Sequence, residues 1–209
     1  MRPNAKGKQH FIKVNIEDRT KKFINSKNRT AVVMETSLNS LSTNASDMKN
    51  KESDLKFFNS SIFAVQETHY KQKGKFKIQD YQIFEAIRKN KDQGGSMLVI
   101  HMGLQPVLIS EYSDSFELLV VEILNGNQSI RVMTGYGPQE NWEDKERMPF
   151  YTALETEITS AELQGISVII ALDANAKLGP TYIPNDPKEM SKNGKVLSDI
   201  LEKTCTISS

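Results

Sequence analysis

The sequence predicts an α+β domain, sheets with helices packed on their outside, and not a singly wound α/β unit. Three observations predict it. Residues 81–87, 96–101, 104–109, 116–124 and 130–134 are short apolar or alternating runs with turn residues between them, which is the pattern of a strand meander. Residues 146–163 place Met148, Tyr151, Leu154, Ile158 and Leu163 at helical spacing. Residues 166–172 (ISVIIAL) are apolar apart from Ser167 and rich in β-branched types. That run is too short for a helix and reads as a strand buried on both faces.

Composition sets the outer bounds. A chain of 209 residues with 25% charged and 38% hydrophobic residues is an ordinary globular protein with room for one large domain. No apolar run of about 18 residues is present, and the N-terminus lacks the apolar core of a signal peptide, so no membrane partner is expected. The single Cys205 cannot form an internal disulfide, which fits a reducing, intracellular setting. A formal net charge of +1 gives no global argument for nucleic acid. The charge is uneven, however, with a basic N-terminus and Lys71, Lys73, Lys75 and Lys77 on one short segment.

Taken in order, residues 1–30 read as a basic, partly disordered arm with room for one short strand around Phe11, Ile12, Val14 and Ile16. The domain proper is expected over residues 31–209. Residues 31–36 (AVVMET) and 37–43 are strand candidates. Met48, Leu55, Phe57 and Phe58 suggest a short helix over residues 47–59. Residues 61–65 (SIFAV) form another buried-type strand, which delivers Gln66, Glu67, Thr68 and His69 at its end. After the lysine segment comes the meander, in which Asn125, Gly126 and Asn127 make a hairpin turn. Residues 135–138 (GYGP) open a polar loop before the long helix. The central strand then delivers Asp173 and Asn175 into a turn closed by Gly179 and Pro180, and a last helix spans residues 195–202. Carboxylates at the ends of core strands mark where α/β proteins keep their chemistry. Taken alone, each has a plainer explanation: Glu67 as an exposed strand-end charge, Asp173 and Asn175 as local turn formers, Tyr136 as a loop aromatic.

The order of these pieces changes the weighing. QETH at Gln66 to His69, GGSMLVIH at Gly94 to His101, TGYGP at Thr134 to Pro138 and LDANAKLG at Leu172 to Gly179 together resemble the motifs of the endonuclease/exonuclease/phosphatase superfamily. Within it they are most similar to the apurinic-type endonuclease domain of non-LTR retrotransposons. The resemblance runs over about residues 37–202. It implies a DNase-I-like four-layer sandwich, two packed mostly antiparallel sheets flanked by helices. It also implies a hydrolase acting on phosphodiester bonds of DNA with Mg²⁺ or Mn²⁺. Glu67 would ligate the metal, and Asp173 would position or activate the attacking water. Asn175 and the Tyr136 hydroxyl would donate to phosphate oxygens, and Asn44 would hold the network beside the metal. Asn39 gives the more usual distance to Glu67 in a poorer local context. Such chemistry suits these residue types, because a hard cation keeps several waters and needs few protein carboxylates. His69 and His101 lack a second His or a Cys at paired spacing and are not expected to bind metal.

The resemblance also implies a C-terminal Ser-Asp-His segment, and no histidine follows His101 in this sequence. The expectation is therefore a domain lacking its C-terminal strands, a truncated nuclease with little or no hydrolytic activity. A nuclear setting and a reverse transcriptase region in a longer parent polypeptide are the further implications. Two rivals stand beside this reading: a non-catalytic module that binds nucleic acid through the lysine segment, and a phosphatase of the same fold.

Overall fold

Period-two alternation of inward and outward side chains builds both sheets of this protein. The computed structural model describes residues 60–87, 94–179 and 189–204, and the backbone of four strands between residues 12 and 44. The first sheet has the order β1 (Ile12–Asn15), β4 (Asn39–Asn44), β5 (Ile62–Gln66), β7 (Ser96–His101) and β6 (Tyr81–Ala86). The second runs β2 (Lys22–Asn25), β3 (Thr30–Val33), β11 (Ser167–Asp173), β10 (Gln128–Tyr136), β9 (Glu117–Asn125) and β8 (Val107–Tyr112). Each sheet holds one parallel pair, β4 with β5 and β10 with β11, among antiparallel neighbours.

The two sheets face each other through a core that includes Ile62, Ala64, Leu98, Leu119, Val132 and Ile169. Residues one position along point the other way. On the first sheet Phe63, Val65, Met97 and Val99 are covered by Tyr70, Phe76 and Ile78 of the segment after β5. On the second, Leu118, Val120, Met133, Val168 and Ile170 meet two helices, α1 (Asp144–Leu163) and α2 (Lys192–Thr204). The two-residue turn between Asn125 and Gln128 is where the hairpin was expected. Glu146 accepts from the Glu143 amide at 3.2 Å and closes the first turn of α1. The result is the expected sandwich of two packed sheets with helices outside.

Some boundaries differ from the sequence reading. The strand expected over residues 104–109 starts later, at Val107. A 3₁₀ turn at Met102–Leu104 comes first, with His101 Nδ1 accepting from the Gly103 amide at 3.1 Å, and Pro106 cannot donate to a ladder. Residues 12–15 and 22–25, inside the stretch read as an arm, pair as β1 with β4 and β2 with β3. The helix expected over residues 47–59 falls outside the described residues.

One buried group carries a pH dependence. Tyr151 of α1 is fully buried, and among the described residues its hydroxyl has no partner. Burial pushes the hydroxyl far above the usual tyrosine range, Glu140 adds to the effect and Arg147 opposes it. The folded state therefore holds the proton that the unfolded chain gives up near pH 10. Stability is unaffected by this group below about pH 10, and above it falls by up to about 1.4 kcal/mol per pH unit. Tyr151→Phe is expected to remove that component of the alkaline slope. At neutral pH it should raise stability by about 1 kcal/mol, because an unsatisfied buried hydroxyl disappears. Urea unfolding at neutral and alkaline pH checks both.

Candidate active site

The two parallel strand pairs, one in each sheet, bring their carboxyl ends to one place. Gln66, the last residue of β5, makes the tie. Its Nε2 donates to Thr134 Oγ1 at 2.8 Å and to the Ala171 carbonyl at 3.1 Å, while Thr134 Oγ1 donates to the same carbonyl at 2.8 Å. Gln66 and Thr134 are fully buried, so these bonds join the sheets in a water-free layer. Among the described residues the Gln66 Oε1 atom has no partner, leaving a buried acceptor beside the strand ends.

Directly after this tie the candidate site residues emerge. Glu67 sits at φ 54°, a left-handed conformation that turns the chain out of the strand, and it is half-buried. The next turn is held by Thr68 and His69 amides donating to the carbonyls of Gly95 and Gly94. Gly95 is required there: at φ +93° an added Cβ would lie 2.3 Å from Thr68 Oγ1. In the other sheet Tyr136 and Asp173 are register partners at the ends of β10 and β11. Asp173 is buried, and its Oδ1 accepts from the Asn175 amide at 3.4 Å. The Gly137 amide donates to the Asp173 carbonyl at 2.7 Å, and Asn175 Nδ2 donates to the Gly137 carbonyl at 2.9 Å. Asn175 therefore makes the local turn bonds that Asn residues commonly make, and it makes them at this site.

The Tyr136 hydroxyl lies in the field of charges from both sheets. Burial raises its hydroxyl above the usual range, a hydrogen bond from Asn175 pulls it back, and the carboxylates of Glu67 and Asp173 push it up again. Glu67, Asp173 and Asn175 thus each act on the Tyr136 hydroxyl. Asn44 is placed by backbone register opposite Gln66, one step from the level of Glu67, whereas Asn39 begins the same strand, opposite Asn15. Five residues of strand separate the two asparagines, about 17 Å. Only Asn44 lies at the end of the sheet that carries Glu67. His69 is exposed, and His101 lies at the far end of β7, its ring edge-on to Tyr81.

Three further residues organise the site, and sequence reasoning missed them. Glu117 is fully buried at the start of β9, opposite Tyr136. Its Oε2 accepts from the Gly95 amide at 2.7 Å and Ser96 Oγ at 3.4 Å. A carboxylate between Phe116 and Leu118 in an apolar run was the available signal. Asn193, also fully buried, donates from Nδ2 to the Pro138 carbonyl at 2.7 Å and to the Asn175 carbonyl at 3.1 Å. Glu140 caps α2 by accepting from the Lys192 and Asn193 amides at 2.6 and 3.3 Å. Asn193 and Glu140 together fix the loops after β10 and β11 to the start of α2. A cleft of about 420 Å³ opens there, lined by Gln139, Glu140, Asn141, Asn175, Lys177 and Ser191.

The donors at this site are carboxylate, amide and hydroxyl oxygens. Among the described residues no group of three or more His, Cys, Asp and Glu side chains gathers as a metal cage. Such a set fits a hard cation that keeps most of its water, and does not fit zinc or another thiophilic metal.

Sheet order and the packing of the two sheets give the chain a DNase-I-like fold, shared with the solved structures it matches. Among solved structures, the endonuclease domain of TRAS1, a telomere-specific non-LTR retrotransposon, matches with a TM-score of 0.55 at 16% identity, over 79% of this chain and 71% of that one. The catalytic domain of Xenopus laevis APE2 matches with a TM-score of 0.50 at 16% identity, over 71% of this chain and 61% of that one. ANGEL2, a 2',3'-cyclic phosphatase, gives 0.51 at 18% identity, over 65% of this chain and 46% of that one. At such identities the likeness is one of fold. No protein-family model and no curated protein sequence matches the chain.

Proposed function

We propose that this chain carries the site of a divalent-metal-dependent phosphodiesterase acting on DNA, of the retrotransposon endonuclease type. The observation that carries the proposal is the Gln66 tie, which sets the end of β5, and with it Glu67, at the ends of β10 and β11, where Tyr136 and Asp173 are register partners. Mg²⁺ or Mn²⁺ would be held by Glu67, with Asn44 beside it, and when bound would polarise a phosphoryl oxygen. Asp173 would orient the attacking water and take its proton. The raised Tyr136 hydroxyl stays protonated at neutral pH and donates to a phosphate oxygen, which favours charge developing there. Asn175 sets the position of that hydroxyl and of the Gly137 loop. This sequence offers no histidine after His101 to serve as the further acid or base. Turnover by the chain alone is therefore expected to be low, since such a group is worth about 10² to 10⁴ in rate.

Supercoiled plasmid incubated with the purified chain tests this. Slow nicking that requires Mg²⁺ or Mn²⁺ and stops with a chelator is the expected result. Plasmid left intact at high protein concentration, with binding indifferent to Mg²⁺, would instead favour a non-catalytic nucleic-acid module.

A further inference from the structure

The lysine segment after Glu67 is held in place at several points. Tyr70, Phe76 and Ile78 are buried against the outer face of the first sheet. Gly74, at φ +77°, donates its amide to Glu85 Oε2 on β6 at 2.6 Å, and Lys73 pairs with Glu111 on β8. Register places these anchors. Glu85 sits one residue from Ala86, which lies level with Ser96 and hence with Gln66. Glu111 pairs with Leu119, which pairs with Thr134, the threonine bonded to Gln66. The segment therefore runs from Glu67 across the site end of the sandwich to β6 and β8, at one edge of both sheets. Beyond Gly74 the segment turns along the outer face of the first sheet toward Tyr81, with Phe76 and Ile78 pointing inward and Lys75 and Lys77 alternating with them and exposed. Among the described residues neither lysine has a carboxylate partner, in contrast to Lys73.

We infer that Lys75 and Lys77 form a rigid cationic ridge that takes the sugar–phosphate backbone of a polynucleotide where it continues past the scissile phosphate over the β6 edge and onto the outer face of the first sheet. This rests on the phosphodiesterase reading and sharpens it, because a mononucleotide-sized substrate bound at Glu67 and Asp173 has no backbone to reach the ridge. A pinned ridge also loses less conformational entropy on binding than a free loop. The contacts are to phosphates, so they add affinity without sequence preference.

Fluorescence anisotropy of a short labelled DNA duplex, titrated with the full chain without divalent metal over a range of salt, tests the inference. Each phosphate contact contributes about 0.9 to the slope of log K against log salt. Lys75→Ala/Lys77→Ala is expected to lower the slope by nearly 2 and to weaken binding equally for unrelated sequences. Lys75→Arg/Lys77→Arg should restore the parent slope. Lys145→Ala/Lys203→Ala, which removes the same charge from lysines paired on the helical side, should leave it unchanged. If the parent binds with a steep slope that the Lys75/Lys77 variant keeps, the ridge is off the DNA path and only this inference fails. If the parent shows no salt-dependent binding but cleaves a small phosphodiester such as bis-p-nitrophenyl phosphate, the polymer substrate fails and the metal site survives. Neither binding nor cleavage would remove both.

Discussion

Gly194→Ala is expected to lower the stability of the chain by about 3 kcal/mol, against about 1 kcal/mol for Gly126→Ala. Gly194 lies in the first turn of α2, and a Cβ there would fall 1.8 Å from the Lys177 carbonyl oxygen and 2.8 Å from its carbon. Both obstacles are backbone, so no side chain can rotate away. Relief requires α2 to back off from the loop after β11. That shift strains the Asn193 bonds to Pro138 and Asn175 and the Ser191 Oγ bonds to the Lys177 and Gly194 amides. Gly126, by contrast, has φ +63° with nothing within 4 Å, and its substitution meets only left-handed backbone strain. About 3 kcal/mol is a large part of the 5–15 kcal/mol typical of a domain, so the urea midpoint of Gly194→Ala should fall well below both parent and control. Equal losses for the two would mean that α2 is not seated on the Asn175 loop.

What the sequence disclosed and what it withheld divide along one physical line. Local rules disclosed the central strand, read as residues 166–172 and found at Ser167–Asp173, because a short β-branched run has few other uses. They also disclosed the Gly126 turn, where two-residue hairpins select Gly and Asn. The motif residues Glu67, Tyr136, Asp173 and Asn175 sit at strand ends that alternation places at one end of the sheets. Ties between distant segments were withheld. Gln66 meets the Ala171 carbonyl across 105 residues, and Glu117 meets Gly95 across 22. No periodicity marks Gln66 as a bridge. The last helix was expected from residue 195 and begins at Lys192, where two caps meet: Ser191 Oγ accepts from the Gly194 amide at 3.1 Å, and Glu140, 52 residues before Lys192, accepts from the Lys192 amide. The Ser191 cap is a local signal that the sequence carries. The Glu140 cap, reaching from another loop, is not.

Glu67→Ala and Asp173→Asn are expected to separate two roles within the proposed site. Glu67 leaves its strand in a left-handed turn with its carboxylate half-exposed, where a hydrated cation can reach it. Its removal should abolish Mn²⁺ binding, followed by the paramagnetic resonance of free Mn²⁺, and reduce metal-dependent nicking to the level seen with chelator. Asp173 is buried and aligned by strand register with Tyr136, a position suited to holding a water near phosphorus. Asp173→Asn keeps an acceptor for the Asn175 amide and loses the proton acceptor. Nicking should fall by about 10² to 10⁴, while Mn²⁺ binding persists and the urea midpoint stays near that of the parent. Loss of Mn²⁺ binding in Asp173→Asn would make Asp173 a metal ligand. Unchanged nicking in both variants would remove the site from the reaction. Either substitution also deletes a negative charge that holds the Tyr136 hydroxyl up, so the phenol should ionise at lower pH in each variant. That shift is read by ultraviolet titration against Tyr136→Phe and does not depend on turnover. It therefore tests whether the three side chains share one field even if the chain hydrolyses nothing.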